Sequence, residues 1–162
     1  MIQIYRLHKK KHAGSAFTGE GAAKYGGRWN HPGIAMVYTS ATTSLAILEI
    51  MANSEPSEIA DLTMIYQVHS AAIDKGVLIF EPKIADLPAG WDDPDGHPDV
   101  ARDLGSQWMQ EGKFCVIRVP SAVQPTESNF LLNPHHPDAN KVRLLPVVPA
   151  VLDPRIIKRL SV

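Results

Sequence analysis

The sequence predicts a single α+β domain over residues 1–162, with a mixed β-sheet core and flanking helices. Three observations carry that expectation. Short apolar runs of strand length recur at irregular intervals, so no regular βαβ array is expected. Thirteen prolines and 11 glycines cut the chain into short pieces. A length of 162 residues fits one domain, since domains usually run to about 100–200 residues.

The elements follow in order. Ile2 to Arg6 reads as a first strand, and residues 8–33 read as loop with glycine-rich runs at Gly19-Glu20-Gly21 and Gly26-Gly27. Ile34 to Thr39 is an apolar run of strand length. Ser40 is the expected cap of a helix from Ala41 to Asn53, because its hydroxyl can accept from an orphan backbone N–H. Leu62 to His69 and Gly76 to Phe80 read as strands, and Pro82 to Pro98 as a polar, proline-rich loop. Val100, Leu104 and Trp108 recur every four residues, which predicts a helix from Asp99 to Gln110. Phe114 to Val119 and Phe130 to Leu132 read as strands, the second extending back to Ser128 in one reading. Val142 to Val148 is a strand interrupted at Pro146, hence an edge or a bulge. The tail from Asp153 to Leu160 reads as a short helix or a final strand.

Composition narrows the class. Sixteen Lys and Arg against 17 Asp and Glu give a net charge of −1, which argues against a surface devoted to nucleic acid or acidic membrane. No apolar run approaches the roughly 20 residues of a membrane span. The segment from Met1 to Arg6 lacks a signal-peptide core, so a cytoplasmic location is expected. The single Cys115 excludes an internal disulfide and a multi-cysteine zinc site.

Several motifs imitate chemistry without completing it. Gly19-Glu20-Gly21-Ala22-Ala23-Lys24 lacks the third glycine of a dinucleotide fingerprint. Asp93-Pro94-Asp95-Gly96 fails as a calcium loop, because Trp91 and Arg102 would occupy ligand positions. His135-His136-Pro137-Asp138 and Lys9-Lys10-Lys11-His12 read as solvated loop, and Cys115 as a core residue without a neighbouring base. No metal site is expected.

Three segments are harder to explain as structure. Glu49 sits in Leu45-Ala46-Ile47-Leu48-Glu49-Ile50-Met51-Ala52, a helix apolar nearly all round. A carboxylate there is costly unless it is paired or faces a cleft. The competing reading is a narrow solvent stripe with Thr42 and Asn53. Gly26-Gly27-Arg28-Trp29-Asn30 couples backbone that can approach a ligand with an arginine fork suited to phosphate or carboxylate. Its bland reading is a glycine turn with a surface arginine. In Glu127-Ser128-Asn129-Phe130-Leu131-Leu132-Asn133-Pro134 an apolar strand is bracketed by Ser128 and Asn133. Both are able to bind hydroxyls or a carboxamide, or simply to end a strand.

Taken with Phe17-x-Gly19-x-Gly21-Ala22, Pro32-Gly33, Val37-Tyr38-Thr39-Ser40 and Ser44-Leu45-Ala46-x-Leu48-Glu49, these segments resemble the RES domain family. Cys115-Val116-Ile117-Arg118-Val119-Pro120-Ser121 and Ser128 to Pro134 match its C-terminal half, so the resemblance spans nearly the whole chain. The family takes its name from an Arg, a Glu and a Ser, which here correspond to Arg28, Glu49 and Ser128. The resemblance implies a fold like that of ADP-ribosyltransferases. It also implies a toxin of a type II toxin–antitoxin system, paired with an Xre-type helix-turn-helix antitoxin through which alone it meets DNA. The implied reaction splits the nicotinamide–ribose bond of NAD+, which is substrate and not cofactor, with water or phosphate as acceptor.

On that reading Glu49 stabilises the charge that builds on the ribose, and Arg28 holds the pyrophosphate or orients the ribose. Tyr38 offers an aromatic face and a hydroxyl, Gly27 allows close approach, and Ser128 and Asn133 position ribose or carboxamide. Arg28, Tyr38, Glu49, Ser128 and Asn133 are then expected to line one cleft. Three alternatives stay open: mono-ADP-ribosylation of a host protein; a ribonuclease using His8 or His12 with Lys10; and a non-catalytic module that docks a regulator.

Overall fold

The computed structural model describes residues 1–94 and 99–160. Its strands are β1 (Ile2–Lys9), β2 (Val37–Ser40), β3 (Tyr66–Ile73), β4 (Ile79–Phe80), β5 (Val116–Pro120), β6 (Ser128–Leu132), β7 (Val142–Leu144) and β8 (Val148–Pro149). The helices are α1 (Glu20–Tyr25), α2 (Thr43–Asn53), α3 (Pro56–Ala60), α4 (Leu62–Ile65), α5 (Asp99–Glu111) and α6 (Pro154–Leu160). The strands join one sheet in the order β4-β5-β6-β2-β1-β3-β7, with β8 also on β3. Only β4 and β5 run parallel among the described pairs.

Strand alternation sorts the side chains into two faces. Ile4, Val37, Ala71, Ile73, Phe130 and Leu132 form one core. On the other face the sheet is covered twice. Leu7, Val68 and Tyr66 pack with Ala46 of α2, while Met36, Ile117, Val119 and Leu131 pack with α5 and the stacked rings of Trp29, Trp91 and Trp108. The division between these two packed layers leaves room for a cleft.

Several boundaries differ from expectation. Thr42, not Ser40, caps α2: its Oγ1 accepts from the Leu45 N–H at 3.0 Å, while Ser40 ends β2. Residues 34–36 precede the strand proper, which starts at Val37. Leu62 to Ile65 form a helical turn, and the strand expected from Leu62 begins at Tyr66. Residues 8–33 hold the end of β1, a 3-10 segment at Lys10–Ser15 and the short helix α1. The helix α3, opened by Pro56, was not expected; proline at a first helical turn costs no hydrogen bond. Pro146 splits the last strand into β7 and β8. The expected loop from Pro82 to Pro98 contains a 3-10 turn at Ile84–Asp86, and its end falls outside the described residues. The tail is helical. Among the described residues no helix is long and apolar enough to cross a membrane.

Candidate active site

A cleft of about 430 Å³ opens where β1 and β2 part. Their register pairs Tyr5 with Ser40 and no further described position. Past that point the Arg6 guanidinium bridges the gap, its Nη1 donating to the Tyr38 carbonyl at 3.1 Å. The Arg6 Nε is buried without a partner, and no carboxylate pairs with this side chain among the described residues. Burial pushes its pKa down to about 10, so it stays a cation at neutral pH.

One stripe of α2 forms a wall. Ala46, Glu49, Ile50 and Asn53 all line the cleft, spaced as neighbours on one helix face. This answers the choice posed by the sequence: Glu49 faces a cleft with Asn53 beside it, while Thr42 belongs to the cap. The Glu49 Oε1 accepts from Ser121 Oγ at 2.8 Å and from Asn129 Nδ2 at 2.5 Å. Its Oε2 has no protein partner among the described residues, which leaves an acceptor open to a ligand.

The opposite wall is the loop from Gly26 to Asn30 together with α1. Asn30 is fully buried, and its Nδ2 is shared by the carbonyls of Ala22, His31 and Ile34. The Tyr38 hydroxyl donates to Asn30 Oδ1 at 2.7 Å and accepts from the Trp29 N–H at 3.0 Å. Burial raises the Tyr38 pKa, so this hydroxyl keeps its proton. From α5, Arg102 Nε holds the Gly27 carbonyl at 3.1 Å, and Ser106 Oγ receives the His31 N–H. The Arg28 Nη1 donates to the carbonyls of Trp91 at 2.9 Å and Asp93 at 3.1 Å. Those are neutral acceptors, so the charge of Arg28 is not cancelled by them.

The structure therefore brings Gly27, Arg28, Tyr38 and Glu49 to one cleft. Ser128 and Asn133 do not line it. Strand alternation explains Ser128: it shares a face with Phe130, away from α2, and its Oγ accepts from Arg118 Nε at 3.1 Å. Asn133 follows β6 at its far end, where Nδ2 donates to the Met109 carbonyl and Oδ1 accepts from the His135 N–H. The serine that touches Glu49 is Ser121. Sequence reasoning passed over Ser121, Asn129, Ser40 and Arg6 as site residues. Register could have found Asn129, because a residue beside Ser128 in a strand must face the other way. No local signal marks Arg6.

Of the other imitations of chemistry, the Gly19–Lys24 run does reach the cleft, through Gly21 and Ala22 of α1, while the false calcium loop lies partly outside the described residues. Cys115 is buried and its thiol is pushed up to about 11, and no group of three or more potential metal ligands occurs among the described residues. His8 lies behind Arg6, with its pKa lowered to about 4 by burial and by that cation.

With this geometry in place, the comparisons with known proteins define the class. The RES domain family matches residues 3–153, and the chain belongs to that family. Its relatives include a protein named Toxin Res from Yersinia enterocolitica, 34% identical over 83% of this chain and 86% of the relative. A protein from Sphingobium named Prs ADP-ribosylating toxin is 35% identical over 88% of this chain and 87% of its own. Among solved structures, the Mycobacterium tuberculosis MbcT–MbcA toxin–antitoxin complex contains a chain with the same fold. It aligns at a TM-score of 0.74 and 18% identity, over 98% of this chain and 88% of that one. The expected single α+β domain with a mixed sheet agrees with that shared fold.

Proposed function

We propose that this protein is the toxin of a type II toxin–antitoxin pair and that it cleaves the nicotinamide–ribose bond of NAD+. One observation carries the reading: a carboxylate with one oxygen tied down and the other open lines a cleft whose other charged groups, among the described lining residues, are the guanidinium groups of Arg6 and Arg28. An anionic dinucleotide whose reaction centre turns cationic needs both signs of charge in one place.

In the proposed reaction the glycosidic C–N bond breaks and its electron pair passes to the pyridinium ring, which leaves as neutral nicotinamide. Glu49 Oε2 accepts a hydrogen bond from a ribose hydroxyl and stabilises the oxocarbenium charge. Arg6 and Arg28 hold the pyrophosphate, Arg28 by exchanging neutral carbonyls for charged oxygens. Gly27 keeps the backbone close to the ligand, and Tyr38 holds the loop that carries Arg28. Ser128 and Asn133 act at most through the strand that bears Asn129. The acceptor is water, giving ADP-ribose and a proton, or inorganic phosphate, giving phosphorylated ADP-ribose. No metal is called for.

The toxin names of the relatives and the complex that holds the structural neighbour support an antitoxin partner, which we place as an Xre-type protein that links the pair to DNA. The site of action is cytoplasmic, where NAD+ is available. A second reading, mono-ADP-ribosylation of a host protein, is favoured by the name of the Sphingobium relative. The fate of labelled NAD+ with purified, partner-free protein separates the two. Label in free ADP-ribose or its phosphate supports degradation, label on protein supports transfer, and intact NAD+ contradicts both.

A further inference from the structure

We propose that Asn129 is a positioning residue for the Glu49 carboxylate, and that Ser40 sets it by fixing the direction of its amide. The proposal rests on the reading above, in which Glu49 acts on the ribose.

The sheet register places the two residues. Ser40 is the last residue of β2 and stands directly across from Asn129 of β6, on the face that α2 covers. An amide side chain presents two ends of similar shape and opposite polarity. Turned one way it donates to a carboxylate; turned the other way it repels it. The Ser40 hydroxyl donates to Asn129 Oδ1 at 2.8 Å, which engages the carbonyl end and leaves Nδ2 for Glu49 Oε1 at 2.5 Å. Ser40 is 4% exposed, so water does not compete for this bond.

Ser121 closes the arrangement from the other side. Its Oγ accepts from the Val123 and Gln124 N–H groups at 3.1 and 3.0 Å. A hydroxyl has two acceptor positions and one proton. With both acceptor positions filled, the proton has one direction left, toward Glu49 Oε1 at 2.8 Å. Two directed donors thus converge on the same oxygen. A glutamate on a helix otherwise spreads over several rotamers, at an entropy cost when it must be fixed. Here the orientation is set before substrate arrives, with Oε2 left unengaged among the described residues in a side chain that lines the cleft. Misplacement of a reacting group by about 1 Å can cost about 100-fold in rate.

The test uses Asn129→Asp, Ser40→Ala and Glu49→Gln, alone and combined, with kcat and KM for NAD+ and circular dichroism. Asn129→Asp keeps the shape and replaces the donor with a second acceptor. It is expected to lower kcat about 100-fold with KM within about threefold, and to add nothing in the Glu49→Gln background. Ser40→Ala is expected to lower kcat by less, again at steady KM. A folded Asn129→Asp protein with native kcat, a loss confined to KM, or a full additive loss on top of Glu49→Gln overturns the proposal. If Asn129→Asp fails to fold, Ser40→Ala and Asn129→Ala carry the same criteria. A thermal-denaturation double-mutant cycle between Asn129→Ala and Glu49→Ala reads the contact without turnover: coupling supports the proposal and its absence overturns it. Wild-type protein that leaves NAD+ intact would instead defeat the functional reading, and the cycle still decides the contact.

Discussion

A Cβ on Gly27 would stand 2.6 Å from the hydroxyl oxygen of Tyr38 and 2.9 Å from its ring carbon. The glycine is therefore required by what lies beneath it: the Tyr38 hydroxyl must reach Asn30 Oδ1 and the Trp29 N–H. Gly27→Ala is expected to destabilise by about 1–3 kcal/mol through overpacking and to lower NAD+ turnover by displacing Arg28. Because the closest clash is with the hydroxyl, Tyr38→Phe in the same chain should give back part of the loss. Urea denaturation of the four proteins checks this; additive effects contradict it.

Gly105 supports the same loop from α5. A Cβ there would lie 2.0 Å from the Trp29 carbonyl oxygen, and backbone cannot yield as a flexible side chain does. Gly105→Ala should therefore cost at least about 3 kcal/mol. Gly21→Ala makes the control, since nothing lies within 4 Å of its added carbon and its place in the first turn of α1 tolerates alanine. A Gly105→Ala protein with native midpoint would show that α5 does not clamp this loop.

Much of this arrangement is legible in the sequence, and the exceptions have physical reasons. Glu49 stands out because an acid in an apolar helix needs an explanation, and the glycine pair before Arg28 signals a close approach. Ser128 stands out in the sequence as a strand-bracketing residue and through the family resemblance, whereas the face it presents is set by the strand's placement in the sheet; Asn129 and Ser40 meet only through β2–β6 pairing. The role expected of Ser40, a helix cap, passes to Thr42 because β2 runs on through Ser40. Arg6 looks like any strand residue, and its importance comes from the parting of β1 and β2, a long-range event. Short helices such as α3 and α4 carry too few turns for a periodic signal.

Arg6 offers a separation of stability from binding. A buried guanidinium without a carboxylate adds little to the ligand-free fold. Arg6→Met is expected to change unfolding free energy by no more than about 1 kcal/mol while weakening ADP-ribose binding by at least tenfold, that is by about 1.4 kcal/mol. Calorimetry with ADP-ribose measures it. Unchanged affinity in the folded variant would remove Arg6 from the anion site.

His8 gives the fold a pH dependence. Its folded pKa is lowered to about 4 against an ordinary value near 6.5, so between these values the unfolded chain binds more protons. Stability is thus present above about pH 6.5 and declines as pH falls toward 4. His69, also lowered by burial and by Arg6, acts in the same direction. The melting temperature should fall across that window, and His8→Gln should flatten the fall. An equal slope in the variant would assign the effect to other groups.

The central claim is that the Glu49 carboxylate stabilises charge as nicotinamide departs. The most direct measurement is nicotinamide released from NAD+ by purified, partner-free protein, wild type against Glu49→Gln, each with a normal circular-dichroism spectrum. Glutamine keeps the shape and removes the charge. The account predicts release by the wild type and a fall in kcat of at least about 100-fold in the variant, with little change in ADP-ribose affinity. Near-native release by a folded Glu49→Gln protein would contradict it.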